Sequence, residues 1–74
     1  MNQKNYYNYN CSLYNTDKGQ YIEAEVSYFE PGKVLRCTIN ETIEISLHFN
    51  SKHKEYVGSK AGLEFKSQGP KLLN

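Results

Sequence analysis

Residues 21–49 constrain the fold more than any other part of the chain, because three runs of alternating apolar and polar residues are separated there by two tight turn signals. This alternation is the pattern of a strand with one buried and one solvated face. At Pro31-Gly32, proline pre-sets φ and glycine accepts a positive φ, as a type II turn requires. At Asn40-Glu41, the asparagine tolerates a left-handed conformation. We therefore predict a three-stranded antiparallel meander.

Further strand signals lie on both sides of this meander, and no window has a helical period. The chain of 74 residues forms one domain, with residues 1–5 and 68–74 as loosely ordered ends. We predict an all-β fold, a small antiparallel meander of five to six strands that closes into a barrel or a sandwich. The predicted strands are Tyr6–Tyr14, Gln20–Phe29, Val34–Ile39, Thr42–Asn50, Glu55–Gly58 and Ala61–Ser67, with Gly58-Ser59-Lys60 as the last turn.

The alternation assigns each predicted strand an inner and an outer face. The predicted inner residues are Tyr7, Tyr9, Cys11, Leu13, Ile22, Ala24, Val26, Tyr28, Leu35, Cys37, Ile39, Ile43, Ile45, Leu47, Phe49, Tyr56 or Val57, Ala61, Leu63 and Phe65. The predicted outer residues include four aromatic side chains, Tyr6, Tyr14, Tyr21 and Phe29. Charged residues separate these aromatic side chains on the same outer faces.

Few residues are suited to catalysis or metal binding, since the chain has two cysteines, two histidines and one aspartate. The alternation points Cys37 inward and His48 outward, and His53 lies in a lysine-rich loop, so no nucleophile–base pair is predicted. The cysteines and histidines also lack the close spacing of a structural zinc site. We therefore expect no enzymatic activity, no cofactor and no metal.

Cys11 and Cys37 are both predicted to point inward, on the first and third strands. If these strands are neighbours or face one another across the core, a disulfide is geometrically feasible, and it would contribute about 3 kcal/mol in the chain-entropy model. In a cytoplasmic protein the two residues would instead be small buried hydrophobic groups. Because no segment resembles a signal peptide or a transmembrane span, we expect a cytoplasmic location and reduced thiols.

Aromatic composition and charge distribution favour protein binding. The chain has seven tyrosines, three phenylalanines and no tryptophan, and its net charge is +1. Residues 20–50 contain five Glu against one Lys and one Arg, whereas residues 51–74 contain five Lys against two Glu. Exposed tyrosine offers contact area at a small cost in entropy. We predict a non-enzymatic module that binds another protein through Tyr21, Glu23, Glu25, Phe29, Arg36 and Glu44.

Two other partners remain open. Small barrels also bind single-stranded nucleic acid through outer aromatic residues, but Glu23 and Glu25 would repel phosphate, so nucleic acid is the less favoured partner. A strand at either edge, Tyr6–Tyr14 or Ala61–Ser67, could pair with a second copy and form a homodimer. Lys, Asn and Tyr share AT-rich codons, which suggests a low-GC bacterium, a phage or another mobile element as the source. With such an origin, we expect the binding module to be an inhibitor or accessory factor. No membrane partner is expected.

Two short elements carry a resemblance to a known family. Asn8-Tyr9-Asn10-Cys11 places a Tyr-x-Cys element at the start of the first strand, and Tyr56-Val57 is followed by Leu63-Glu64-Phe65 and Gly69. This arrangement resembles the small β-barrel inhibitors of C-type lysozyme, which implies a small β-barrel. That family has a Ser-Gly element before the later tyrosine, where this chain has Lys54-Glu55, and no functional residue is carried over.

Overall fold

A computed structural model describes residues 7–73, and in this range the chain forms six antiparallel strands that close into a barrel without a helix. The strands are β1 (Asn10–Asn15), β2 (Gln20–Glu30), β3 (Val34–Ile39), β4 (Ile43–Asn50), β5 (Glu55–Lys60) and β6 (Leu63–Ser67). Each strand pairs with the next one along the chain, and β6 pairs with β1. The predicted all-β barrel is confirmed. Tyr6, the predicted frayed residues 1–5 and Asn74 lie outside the described residues.

The core follows the predicted alternation most closely in β3 and β4. Strand β3 has its predicted bounds, and its three predicted inner residues are all buried. The buried apolar residues are Cys11, Leu13, Ala24, Leu35, Cys37, Ile39, Ile45, Leu47, Tyr56 and Phe65. Ile43 is an exception, because it lies next to the β3–β4 turn and is exposed there. The inner faces of all six strands therefore meet in one core.

The two turns of the meander have the predicted chemistry. Gly32 has a φ of 75°, and the Lys33 N–H donates to the Glu30 carbonyl at 2.9 Å. Asn40 and Glu41 have φ values of 54° and 65°, the pair of positive values that a type I′ hairpin turn needs. The β3–β4 turn therefore holds its two strands in the register that the alternation requires.

The last hairpin turns later than predicted. Strand β5 continues through Gly58 to Lys60, and the chain reverses at Ala61 and Gly62, whose φ values are 53° and 79°. The prediction of a turn at Gly58-Ser59-Lys60 is wrong, as is the inward placement of Ala61, which is exposed. Gly58 serves a different purpose, because a Cβ atom at this position would collide with the backbone carbonyl oxygen of Ser46 on β4.

A β-bulge in β2 reverses two predicted side-chain orientations. The β2–β3 register passes from Val26 opposite Cys37 to Tyr28 opposite Arg36, so Ser27 is an extra residue. Since one extra residue exchanges the two faces of a strand, Tyr28 points outward and is 48% exposed. Phe29 turns inward and packs against the core. The predicted inner position of Tyr28 and the predicted outer position of Phe29 are therefore both wrong.

Phe29 belongs to an aromatic cluster at one end of the barrel, together with Tyr7, Phe49 and Tyr56. The Phe29 ring centroid lies 4.9 Å from that of Tyr7 and 5.5 Å from that of Tyr56. Phe49 packs on the other side of Tyr56, at 5.1 Å. The Tyr56 hydroxyl accepts a hydrogen bond from the Gly32 N–H at 2.8 Å. This bond ties the β2–β3 turn to β5.

The segment before β1 departs from the predicted strand. Strand β1 begins at Asn10, and the Asn8 side chain accepts a hydrogen bond from the Asn10 N–H at 3.0 Å. This local bond accompanies a bend that interrupts the alternation. Tyr9, predicted to face the core, is 82% exposed, so that prediction is wrong. Tyr7 packs on Phe29 and forms a bridge with Leu72 near the end of the chain.

The close approach of β5 to β4 leads to the first testable prediction. We expect Gly58→Ala to destabilise the fold by about 2 kcal/mol, because the added methyl group forces the two backbones apart. The measurement is equilibrium unfolding in urea, with Ser59→Ala at the exposed neighbouring position as the matched control. Equal stabilities of the two variants would contradict the close approach.

Candidate functional site

Five of the six predicted binding residues lie on the outer surface of the barrel, and one does not. Tyr21, Glu23 and Glu25 lie on the outer face of β2, Arg36 on β3 and Glu44 on β4, and all five are exposed. Phe29 is a core contact because of the bulge at Ser27. The face of β2, β3 and β4 that carries the five exposed residues is called the outer sheet face below.

An acidic row crosses the outer sheet face. Glu25 on β2 lies opposite Thr38 on β3, and Thr38 lies opposite Glu44 on β4. Two strand spacings therefore separate the two carboxylates, which is about 10 Å. Next to this row along β2, the Glu23 carboxylate accepts a hydrogen bond from the Ser12 hydroxyl at 2.8 Å. The negative charges are close enough to act together on an approaching charged group.

Tyr28 adds an aromatic residue that the sequence reasoning missed. Its ring centroid lies 5.7 Å from the Arg36 guanidinium carbon, a cation–π distance. Its hydroxyl donates to the Glu30 carboxylate at 3.1 Å, and Glu30 also pairs with Lys33 at 3.3 Å. The strict alternation of β2 predicted an inner Tyr28, and only the register of β2 against β3 reveals its exposure.

A second aromatic group lies at the opposite end of β2. The Tyr14 and Tyr21 rings on paired strands have centroids 4.9 Å apart, and Tyr21 is 75% exposed. Closure of the barrel places Lys66 of β6 opposite Tyr14. The sequence separates this lysine from the aromatic residues by more than half of the chain, so only the closed topology shows that they are neighbours.

The junction between β1 and β6 is incomplete, and a cleft of about 500 Å³ lies beside it. Among the described residues, the two strands pair only through Tyr14 and Asn15 of β1 with Lys66 and Phe65 of β6. The segments before β1 and after β6 meet again where the Asn8 N–H donates to the Lys71 carbonyl at 2.9 Å. The cleft between these two contacts is lined by Asn8, Asn10, Cys11, Ser12, Tyr14, Tyr21, Glu23, Glu55, Lys66, Ser67, Gln68, Gly69 and Lys71.

The two cysteines meet inside the barrel as free thiols. Both are buried, as predicted, and their Sγ atoms are 3.5 Å apart. The hydrogen bond between the two thiols lowers the pKa of Cys11, against the smaller opposite effect of burial. The same interaction, followed by burial, raises the pKa of Cys37. The pair therefore has one thiol that ionises more readily than the other.

The histidines do not join these groups. His48 is exposed on β4, as predicted, and His53 is exposed in the β4–β5 loop. Within residues 7–73, no three His, Cys, Asp or Glu side chains are grouped so that they could hold a metal ion. The same range contains no helix that could cross a membrane.

Comparisons of the chain with protein-family models, with curated proteins and with solved structures gave no match. Three features of the surface could serve a function: the outer sheet face with its acidic row, the two aromatic groups at the ends of β2, and the cleft beside β1.

The different positions of Tyr21 and Phe29 lead to a prediction about stability. We expect Phe29→Ala to cost about 2–3 kcal/mol, since the partly buried ring contacts two other aromatic rings. Tyr21→Ala should change stability by about 1 kcal/mol or less, because its ring is mostly in water. Urea unfolding of both variants measures the difference. A loss for Phe29→Ala as small as that for Tyr21→Ala would mean that the bulge does not turn Phe29 inward.

Proposed function

We propose that the chain is a non-enzymatic module that binds another protein through its outer sheet face. The observation that carries this proposal is the 75% exposure of Tyr21 on the same strand face as Glu23 and Glu25. A large aromatic side chain in water contributes little to the core, and in a binding surface it supplies contact area. The contact with Tyr14 accounts for part of its position, and the exposed remainder of the ring is available to a partner.

The layout of the outer sheet face supports a partner with a positively charged surface. Tyr21 and Tyr28 lie near the two ends of β2, a strand of 11 residues that is roughly 35 Å long. Glu23 and Glu25 lie between them, and Glu44 extends the negative charge across the sheet. Complementary charge speeds association and orients the partner, while the tyrosines supply most of the contact energy.

The barrel is also suited to this role because each strand is hydrogen-bonded to its two neighbours in a closed sheet. A closed sheet offers a rigid surface, so side chains on it lose little freedom on binding. The small size of the module fits an inhibitor or accessory factor, and its content of Lys, Asn and Tyr, which have AT-rich codons, fits an origin in a phage or mobile element. A second copy of the chain is the alternative protein partner. It would contact β1 on the β6 side, before Tyr14, where β1 has no strand partner among the described residues.

One specific observation favours a second function, the binding of single-stranded nucleic acid. Lys66 lies opposite Tyr14, and Tyr14 packs on Tyr21, so a stacking surface and a phosphate-binding cation are neighbours. Glu23 on the adjacent part of β2 opposes this function, because it repels phosphate. We therefore rank nucleic acid below protein.

The test of the proposed function begins with capture of partners from an extract of the source cells, followed by calorimetry with the purified partner. We expect the double variant Glu23→Lys/Glu25→Lys to weaken binding about tenfold or more, because it sets like charges against each other. Tyr21→Ala should weaken binding as well. Lys52→Glu, a charge reversal in the exposed β4–β5 loop, is the matched control and should bind as the wild type does.

Two outcomes would contradict protein binding through this face. One is full affinity of the Glu23→Lys/Glu25→Lys variant for the captured protein. The other is micromolar binding of a single-stranded oligonucleotide that weakens steeply with salt and is lost in Lys66→Glu. Sedimentation at several concentrations would reveal self-association. In that case the partner would be a second copy of the chain and not a different protein.

A further inference from the structure

The cleft beside β1 gives the buried thiol pair a route to small solutes. Cys11 is 6% exposed and lines the cleft. Cys37 is 0% exposed and lies behind it, with its Sγ atom 3.5 Å from that of Cys11. A small reagent that enters the cleft therefore meets Cys11 before it meets Cys37.

We propose that Cys11 and Cys37 form a peroxide-sensitive pair in which Cys11, reached through the cleft, is oxidised first and Cys37 then closes a disulfide. Hydrogen peroxide is the oxidant, since a molecule of its size can enter a cleft of about 500 Å³ and reach a nearly buried sulfur at its wall. This chemistry does not depend on what the outer sheet face binds.

The reaction has two steps that follow the usual order of cysteine oxidation. The Cys11 thiolate attacks one peroxide oxygen, the O–O bond breaks, and the hydroxide that leaves takes up a proton to become water. Cys11 is then a sulfenic acid. The Cys37 sulfur attacks the Cys11 sulfur, the S–O bond breaks, and the second hydroxide leaves with a proton as water. In total, two thiols lose two electrons and one peroxide gives two water molecules.

The electrostatics of the pair agree with this order. Thiolate is the form that reacts with peroxide, and the hydrogen bond between the two thiols lowers the pKa of Cys11. The pKa of Cys37 is raised by the same contact and by burial. These directions agree with the order that the cleft imposes, in which Cys11 is the first sulfur that peroxide meets.

The local structure allows the two sulfur atoms to come together. A disulfide needs an S–S distance of about 2.05 Å, so the sulfurs must approach from 3.5 Å. On its β6 side, the part of β1 before Tyr14 has no strand partner among the described residues. One hydrogen bond, from the Ser67 hydroxyl to the Ser12 carbonyl at 2.9 Å, crosses the cleft there. On this side a shift of β1 toward β3 would break only that bond, while the ladder between β1 and β2 would move with it.

The experiment treats the folded, reduced wild-type protein with hydrogen peroxide and follows its intact mass, with and without dimedone, which traps sulfenic acid. We expect loss of two hydrogen atoms per chain, with a Cys11–Cys37 disulfide in the peptide map. At early times dimedone should label Cys11 and leave Cys37 unlabelled. Both results come from the wild type, so they do not depend on whether a variant folds.

Two variants, checked by circular dichroism, sharpen the order of events. Cys37→Ala removes the second thiol, so dimedone labelling of Cys11 should rise to one adduct per chain. Cys11→Ser should leave Cys37 unmodified under the same treatment. The proposal is overturned if both wild-type thiols survive a dose that oxidises the urea-unfolded chain, if Cys37 is labelled first, or if the only disulfide joins two chains.

Discussion

The pairing of β1 with β6 is the contact on which the rest of the barrel depends. Six strands with one apolar face have no second layer to cover them, so the sheet must curl until its edges meet. The ladder that joins the edges consists of two residue pairs, Tyr14 with Lys66 and Asn15 with Phe65. Without this contact the inner face of the sheet would lie in water, and a domain this small has little stability to lose.

The β1–β2 loop reinforces this short ladder. The Thr16 N–H donates to the Glu64 carbonyl at 3.0 Å, and the Asp17 carboxylate accepts from the Glu64 N–H at 2.9 Å. Asn15 is buried, and its side-chain oxygen accepts hydrogen bonds from the N–H groups of Asp17 and Lys18. Closure therefore draws on loop residues that the sequence marks only as turn formers.

After Ser67 the chain leaves β1, because Gly69, with a φ of 89°, and buried Pro70 carry it against the aromatic cluster. The cleft is the space left by this departure.

The sequence predicts this structure well wherever side chains alternate strictly between the inner and outer faces of a strand. This alternation is kept in β3 and β4, so nearly all inner residues there were predicted correctly. It is lost at Ser27, where one extra residue exchanges the faces that hold Tyr28 and Phe29, and nothing in the residue types marks the bulge. Gly58 and Gly62 look alike as turn signals in the sequence. Only the structure shows that Gly58 lets the β5 backbone lie close to the Ser46 carbonyl on β4, while Gly62 lies in the turn. Lys66 and Tyr14 become neighbours only when the barrel closes, so patterns within short stretches of sequence do not predict their contact.

The barrel is closed at two points with a cleft between them, and nuclear Overhauser spectroscopy of the labelled protein tests this closure most directly. The structure predicts backbone contacts from Tyr14 and Asn15 to Lys66 and Phe65, and from Tyr7 to Leu72. It predicts no ladder contacts between Cys11 and the segment after Ser67. Absence of the Tyr14–Lys66 contacts would mean an open sheet, and a continuous ladder along β1 would mean that the cleft does not exist; either result would contradict the account.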